Sequence, residues 1–286
     1  MQNLISDLCT EISNFIPGHK AFVNESLNFL EKSESVSLSA LAESYAFLVR
    51  ETLKEQLYFK RNKKYRYSKY SEVSESIYNN NLYMQKYMTG LAISSFLWPN
   101  HIRIKRFFEN IIKTIDNKSA RYLEIGPGHG IFFMIALANQ CAKIYDAVDI
   151  SPTSIKMTTD ILTSGYFGEY SNFQITECDF LDYMPTENYD HLVMGEVIEH
   201  VEQPIKFLNK AYELTTENPL VFITTCINSP EIDHIYLFST ADEVSELIAE
   251  SGFRIRQECI LSYNGTTLER SIEEHLPINV AYVLGK

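Results

Sequence analysis

The chain has 286 residues, 45% of them apolar and 22% charged, proportions ordinary for a soluble globular protein, and its length predicts one large or two smaller domains. The formal net charge of −12 argues against a broad grip on a phosphate backbone or an anionic membrane. No apolar run approaches the roughly 20 residues of a membrane span. Met1–Thr10 lacks the positive segment and apolar core of a signal peptide. Five scattered cysteines (Cys9, Cys141, Cys178, Cys226, Cys259) without a C-x-x-C pair predict neither a disulfide framework nor a structural zinc site. The expected setting is a reducing cytoplasm, with no nucleic-acid or membrane partner, as monomer or homodimer.

The average charge hides a division. Residues 1–116 hold 15 Lys+Arg against 12 Asp+Glu and two glycines, whereas residues 117–286 hold 10 against 25 and nine glycines. The glycine-poor part reads as helices. Leu4, Leu8, Ile12 and Phe15 share one helical face, stopped by Pro17-Gly18. Phe22–Leu30 makes a second short face, and Leu38–Leu57 a longer third, capped by Ser37 or Ser39. The basic run Lys60–Lys69 reads as a solvated linker able to attract an anion. Leu82–Leu97 is helical up to Trp98-Pro99, and Ile102–Ile112 forms one more helix. The glycine-rich part alternates. Strands are predicted at Tyr122–Ile125, Ile144–Val148, Phe173–Thr176, His191–Met194, Leu220–Thr224, Arg254–Leu261 and Ile278–Leu284. Helices are predicted at Ile131–Ala138, Pro152–Leu162, Ile205–Leu214 and Ala241–Ala249. Such alternation implies right-handed βαβ units and a mostly parallel sheet.

The most informative stretch is Tyr122-Leu-Glu-Ile-Gly-Pro-Gly-His-Gly130, a strand entering three alternate glycines and then a helix. Glycine there permits a sharp turn and close approach of a ligand to the main chain. Asp149 ends the next strand, 21 residues after Gly128, where a carboxylate accepts both hydroxyls of a ribose. A nucleoside-containing ligand follows. A dinucleotide turn would be G-x-G-x-x-G/A, and here Ile131 fills the small position. Glu124 would repel a pyrophosphate but suits a sulfonium or ammonium group. These two features weigh against an NAD-dependent oxidoreductase, and no P-loop is present.

Leu123-Glu-Ile-Gly-Pro-Gly-His-Gly130, Val148-Asp-Ile150, Glu177-Cys-Asp-Phe180 and Met194-Gly-Glu-Val-Ile-Glu-His-Val201 resemble, in order and spacing, the successive motifs of class I S-adenosylmethionine-dependent methyltransferases. The resemblance covers about residues 117–286. It implies an α/β, Rossmann-like sheet of seven mostly parallel strands, helices on both faces, with the last strand antiparallel. It places Glu124, Gly126 and Gly128 along the methionine part of S-adenosyl-L-methionine, Asp149 on the ribose and Ile150 on the adenine. Asp179 would meet the adenine amino group beside Phe180, and Gly195, Glu196 and Val197 would face the sulfonium. Residues 1–116 are expected to form an all-helical lid that recognises substrate, and residues 117–286 the methyltransferase domain.

Methyl transfer needs an aligned nucleophile and, for a hydroxyl or amine, a proton acceptor. His200 leads as the base, with Glu196 and Glu199 as alternatives. His234, in the loop after the fifth strand, and the lid aromatics Tyr83 and Tyr87 are the candidate substrate contacts. The adenine methylases' Asp/Asn-Pro-Pro-Tyr/Phe is replaced here by Gly195-Glu-Val-Ile198, which counts against nucleobase substrates. The expectation is methylation of oxygen or nitrogen on a small metabolite, an acid among the candidates. The alternative is a lyase or cyclase of the same fold that releases methylthioadenosine by intramolecular attack. No metal site is expected.

Overall fold

The computed structural model describes residues 37–286 apart from 79, 117–118 and 166–167. The helical faces read within 1–36 lie outside the described residues. Helix α1 (Leu38–Asn62) starts where the Ser37 hydroxyl accepts from the Ala40 amide at 3.3 Å and stops at Lys63 in the left-handed region. It therefore takes in the first residues of the basic run. A short helix α2 (Tyr70–Val73) continues as a wide turn through Ser74–Tyr78. Helix α3 (Asn81–Leu97) is capped by Asn80 and ends at Trp98, and Pro99 opens α4 (Pro99–Ile112), as a ring with fixed φ favours. Five residues of α4's stripe (Ile102, Ile104, Phe108, Ile111, Ile112) are buried.

The sheet follows as β1 (Arg121–Ile125), α5 (Ile131–Ala138), β2 (Ile144–Asp149), α6 (Pro152–Thr163), β3 (Phe173–Glu177), β4 (Tyr189–Gly195), α7 (Pro204–Glu213), β5 (Thr215–Ile227), α8 (Ala241–Glu250), β6 (Arg254–Leu261), α9 (Leu268–Glu273) and β7 (Ile278–Gly285). Strand order is β3-β2-β1-β4-β5-β7-β6. Strands β1 to β5 pair in parallel, and β7 runs antiparallel to both β5 and β6. This is the seven-stranded α/β sheet that the motifs implied. β5 is longer than its apolar stretch, and α9 escaped the periodicity because six residues are too few to show a period.

The order reverses at β1, whose neighbours are β2 and β4. In open α/β sheets ligands bind outside the carboxyl ends of the strands at that point. Helix α4 packs into the core of the sheet. Phe108 of α4 is fully buried, with its ring 4.8 Å from Phe132 and 4.9 Å from Phe222 in the sheet core. A satellite cluster joins Leu48, Val73, Ile77, Met84, Tyr87 and Met88 to Ile232 and Ile235 beyond β5. Thus α1 to α3 rest on the strand ends and roof the crevice. No described helix is long and apolar enough to cross a membrane.

Candidate active site

A cavity of about 590 Å³ opens at the strand ends, between the glycine turn, the ends of β2 and β4, and α3, within the usual size of small-molecule sites. Gly126 and Gly128 have φ of 62° and 58°, which only glycine adopts cheaply. The turn is tied on both sides. The Gly126 amide donates to the Val148 carbonyl at 2.8 Å, and the Thr158 hydroxyl donates to the Gly128 carbonyl at 3.1 Å. His129 contacts the Ser95 hydroxyl at 3.3 Å, and burial pushes its imidazole down to about 4. It ties the turn to the roof as a neutral side chain.

Asp149 is buried. Its oxygens accept from the amides of Ser151 at 2.8 Å and Gly128 at 3.4 Å, and burial pushes its carboxyl up to about 6. Glu124, also buried, accepts from the Tyr122 hydroxyl at 2.6 Å, and desolvation pushes it up to about 8. Both carboxyls line the cavity in an environment that a diol or a cation would complete. Ile150 is exposed, Phe180 is buried with its ring 5.4 Å from Phe207, and Asp179 caps the turn by accepting from the Leu181 amide at 2.8 Å. All three line the same cavity.

Beyond β4 the chain passes Gly195, where a Cβ would meet the Phe132 ring at 2.6 Å. It then enters the left-handed region at Glu196, with φ of 53°. That unusual backbone for a non-glycine residue is held by Thr224. The threonine hydroxyl accepts from the Glu196 amide at 3.0 Å and donates to its carboxylate at 2.7 Å. Glu199 is fully buried, accepts from the Thr225 hydroxyl at 2.9 Å, and is raised well above the carboxylate range by burial and by Glu196. Burial raises Glu196 as well, so the two carboxyls do not both ionise readily.

His200 and His234 meet edge-to-face, centroids 4.7 Å apart. His200 Nδ1 lies 3.1 Å from the Asp233 carbonyl, and His234 Nδ1 2.7 Å from the Ser229 carbonyl. Burial drives His234 down to about 3. The Tyr87 hydroxyl donates to Asp233 Oδ1 at 2.9 Å. Tyr87 and His234 therefore lie with Glu196, Val197 and His200 along one cavity. Tyr83 does not line it, its hydroxyl donating to Glu51 at 3.0 Å. Glu231 and Asp233, just before His234 in the loop after β5, carry no motif of their own. Their role is visible only once the loop folds back, its Ile235 and Tyr236 amides both donating to the Glu199 carbonyl at 3.0 Å. None of residues 60–69 lines the cavity. Within that run Tyr65 is buried beside His234, and Arg66 pairs with Glu55 at 2.9 Å.

A family model described as a methyltransferase domain matches residues 100–275. The chain belongs to that family. The match begins inside α4, consistent with Phe108 being part of the sheet core. Among curated relatives, the malonyl-[acyl-carrier protein] O-methyltransferase 1 of Ilyobacter polytropus is 24% identical over 151 residues, 48% of this chain. The chain spans about half of that relative's length, 54%. Two solved structures share the fold: the [4+2]-cyclase SpnF (TM-score 0.53, 10% identity, 66% of this chain and 82% of that one) and the N-methyltransferase NodS of Bradyrhizobium japonicum WM9 with S-adenosyl-L-homocysteine (0.50, 13%, 65% and 91%).

Proposed function

We propose that this S-adenosylmethionine-dependent methyltransferase methylates an oxygen or nitrogen of a small neutral or cationic acceptor, held between the end of β4 and the helical roof. The observation that carries this reading is the acidic lining of the cavity wall. Glu124, Asp149, Asp179, Glu196, Glu202, Glu231 and Asp233 line it, against Lys105 and Lys206. Burial raises Glu124 and Glu231 to about 8; a cation favours their ionised forms, whereas an anion opposes them and is repelled by the carboxylates already ionised, so the acidic acceptor suggested by the basic run 60–69 is disfavoured. The malonyl group named for the Ilyobacter relative is disfavoured on the same ground.

The residues present suit the cofactor. When bound, it supplies an electrophilic methyl group on a sulfonium. Glu124 offers a buried carboxylate to its cationic end, the backbone of Gly126 and Gly128 lets that end approach, and Asp149 accepts from the ribose hydroxyls. Ile150, Asp179 and Phe180 form the adenine end. Glu196, fixed by Thr224, accepts the acceptor's proton, while His200 is oriented by the Asp233 carbonyl. The roof formed by residues 70–105 covers the site and excludes water.

The test is product analysis with methyl-labelled cofactor and a panel of hydroxylated, amine and carboxylic acceptors. S-adenosylhomocysteine formed with neutral or cationic acceptors is expected. Turnover confined to carboxylic acids would overturn the acceptor class. Methylthioadenosine formed without any acceptor would replace the reading with the lyase or cyclase.

A further inference from the structure

We infer that His200, Asp233 and His234 bind one divalent transition-metal ion at the acceptor end of the cavity. One ring nitrogen from each imidazole and one Asp233 carboxylate oxygen lie within 4.8 Å of one another, and all three residues line the cavity. Ligands each about 2.1 Å from a shared ion lie at most roughly 4.2 Å apart, so the three side chains draw together by side-chain rotation when the ion binds.

The arrangement is held in advance. His200 follows β4, whereas Asp233 and His234 lie on the loop after β5, and the paired hydrogen bonds to the Glu199 carbonyl pin that loop against the His200 turn. Each ligand is also oriented by a group behind it, as metal ligands generally are. The Ser229 carbonyl can only accept, so His234 Nδ1 at 2.7 Å carries the proton and Nε2 keeps a lone pair. The Asp233 carbonyl does the same for His200 Nδ1 at 3.1 Å. Tyr87 engages Asp233 Oδ1, and Oδ2, 3.6 Å from His200 Nδ1, is the oxygen that turns to the ion. Two imidazoles and one carboxylate suit the borderline divalent metals, with positions left open for another ligand.

A competing trio, Glu199, Cys226 and His234, is equally close. Its sulfur lies 3.7 Å from His234 Nδ1, the nitrogen already committed to Ser229, and Glu199 does not line the cavity. We therefore assign the ion to His200, Asp233 and His234. The carboxyls of Glu196 and Glu231 line the same cavity, so an ion there sits among acidic groups.

The site points to a hydroxyl acceptor, a step that rests on the methyl-transfer reading although ion binding does not. A divalent ion lowers the pKa of an oxygen seated on it. The acceptor O–H bond breaks with its proton passing to Glu196, the oxygen forms a bond to the methyl carbon, and the S–CH₃ electron pair remains on sulfur. The ion keeps its oxidation state.

The experiment is a Co²⁺ titration of the chelator-stripped chain, followed by visible absorption and calorimetry, with an S-adenosylhomocysteine thermal shift as control. One Co²⁺ per chain with d–d bands and no thiolate charge-transfer band is expected. His234→Ala and Asp233→Asn should each weaken binding at least tenfold while keeping the thermal shift, and Cys226→Ser should change neither. No saturable Co²⁺ binding up to millimolar concentration, with the thermal shift intact, overturns the inference. A charge-transfer band lost in Cys226→Ser overturns the ligand assignment. Loss of the thermal shift in the unmutated chain would instead strike the cofactor reading and leave the Co²⁺ result to stand alone.

Discussion

The Tyr122 hydroxyl donates to Glu124 Oε2 at 2.6 Å inside β1, with both side chains almost without solvent. Desolvation raises Glu124 from an ordinary 4.5 to about 8, and the tyrosine's hydrogen bond only partly opposes it. The folded chain therefore keeps a proton that the unfolded chain releases above about 4.5. Stability falls as pH rises from there through about 8. Glu231, raised to about 8, and Asp149, raised to about 6, act in the same direction, while the buried imidazoles of His129 and His234, lowered to about 4 and 3, oppose it only up to about pH 6.5, where the unfolded imidazoles lose their protons. The ligand-free protein should melt at a higher temperature at pH 6 than at pH 8 in scanning calorimetry, and Glu124→Gln should flatten that difference. A melting temperature that climbs between those pH values would contradict the burial argument. Because a cationic ligand favours ionised Glu124, its binding at pH 7 should release protons, seen as buffer-dependent calorimetric heat that Glu124→Gln reduces.

Asp149 bridges two parts of the ligand wall, holding the amides of Gly128 and Ser151 while lining the cavity itself. Asp149→Ala should weaken S-adenosylhomocysteine binding by about 2 kcal/mol, the scale of hydrogen bonds to a charged group. Asp149→Asn should lose less, because the amide oxygen can still accept from Gly128 or Ser151. Equal affinity for all three forms by calorimetry would remove Asp149 from the ribose.

Those two carboxylates were legible in the sequence because local order placed them. A strand, a glycine turn, a helix and a second strand fix Glu124 and Asp149 relative to each other whatever the rest of the chain does. Most strand limits were legible for the same reason, since apolar runs bounded by glycine and proline carry their own punctuation. The acceptor end was not. Glu231 and Asp233 belong to a loop whose position depends on hydrogen bonds to Glu199, more than 30 residues earlier. Tyr87 reaches Asp233 across 146 residues. Tyr83, four residues from Tyr87 and on the same helix, turns instead to Glu51 of α1. Helical spacing marks both tyrosines alike, and only packing tells them apart.

Gly195 tests how the end of β4 is shaped. A methyl group there would sit 2.6 and 2.7 Å from two ring atoms of Phe132, and that ring is already packed edge-on to Phe108. Gly195→Ala should destabilise the protein by about 1–3 kcal/mol, the range for overpacking a core, measured by urea unfolding. Phe132→Leu in the same chain should recover a good part of the loss. Failure of the second change to help would place the strain in the backbone rather than against the ring.

Thr224 separates positioning from binding. Its hydroxyl holds Glu196 by both amide and carboxylate, and it keeps a residue with φ of 53° in a conformation that costs of order 1 kcal/mol or more for a side-chain-bearing residue. Thr224→Val keeps the β-branched shape inside β5 but can neither accept nor donate. The Glu196 amide retains the Thr224 carbonyl at 3.2 Å, so the loop stays attached while the carboxylate is freed. The expected result is a kcat at least tenfold lower, with S-adenosylhomocysteine affinity changed less than twofold, and Thr224→Ser restoring kcat. The conservative serine matters because a purely structural role for the threonine would show in the melting temperature of both variants. Loss confined to kcat, and rescued by a hydroxyl alone, would tie the rate to how Glu196 is aimed. An unchanged kcat in Thr224→Val would remove Glu196 from proton transfer and leave the acceptor's proton to another group.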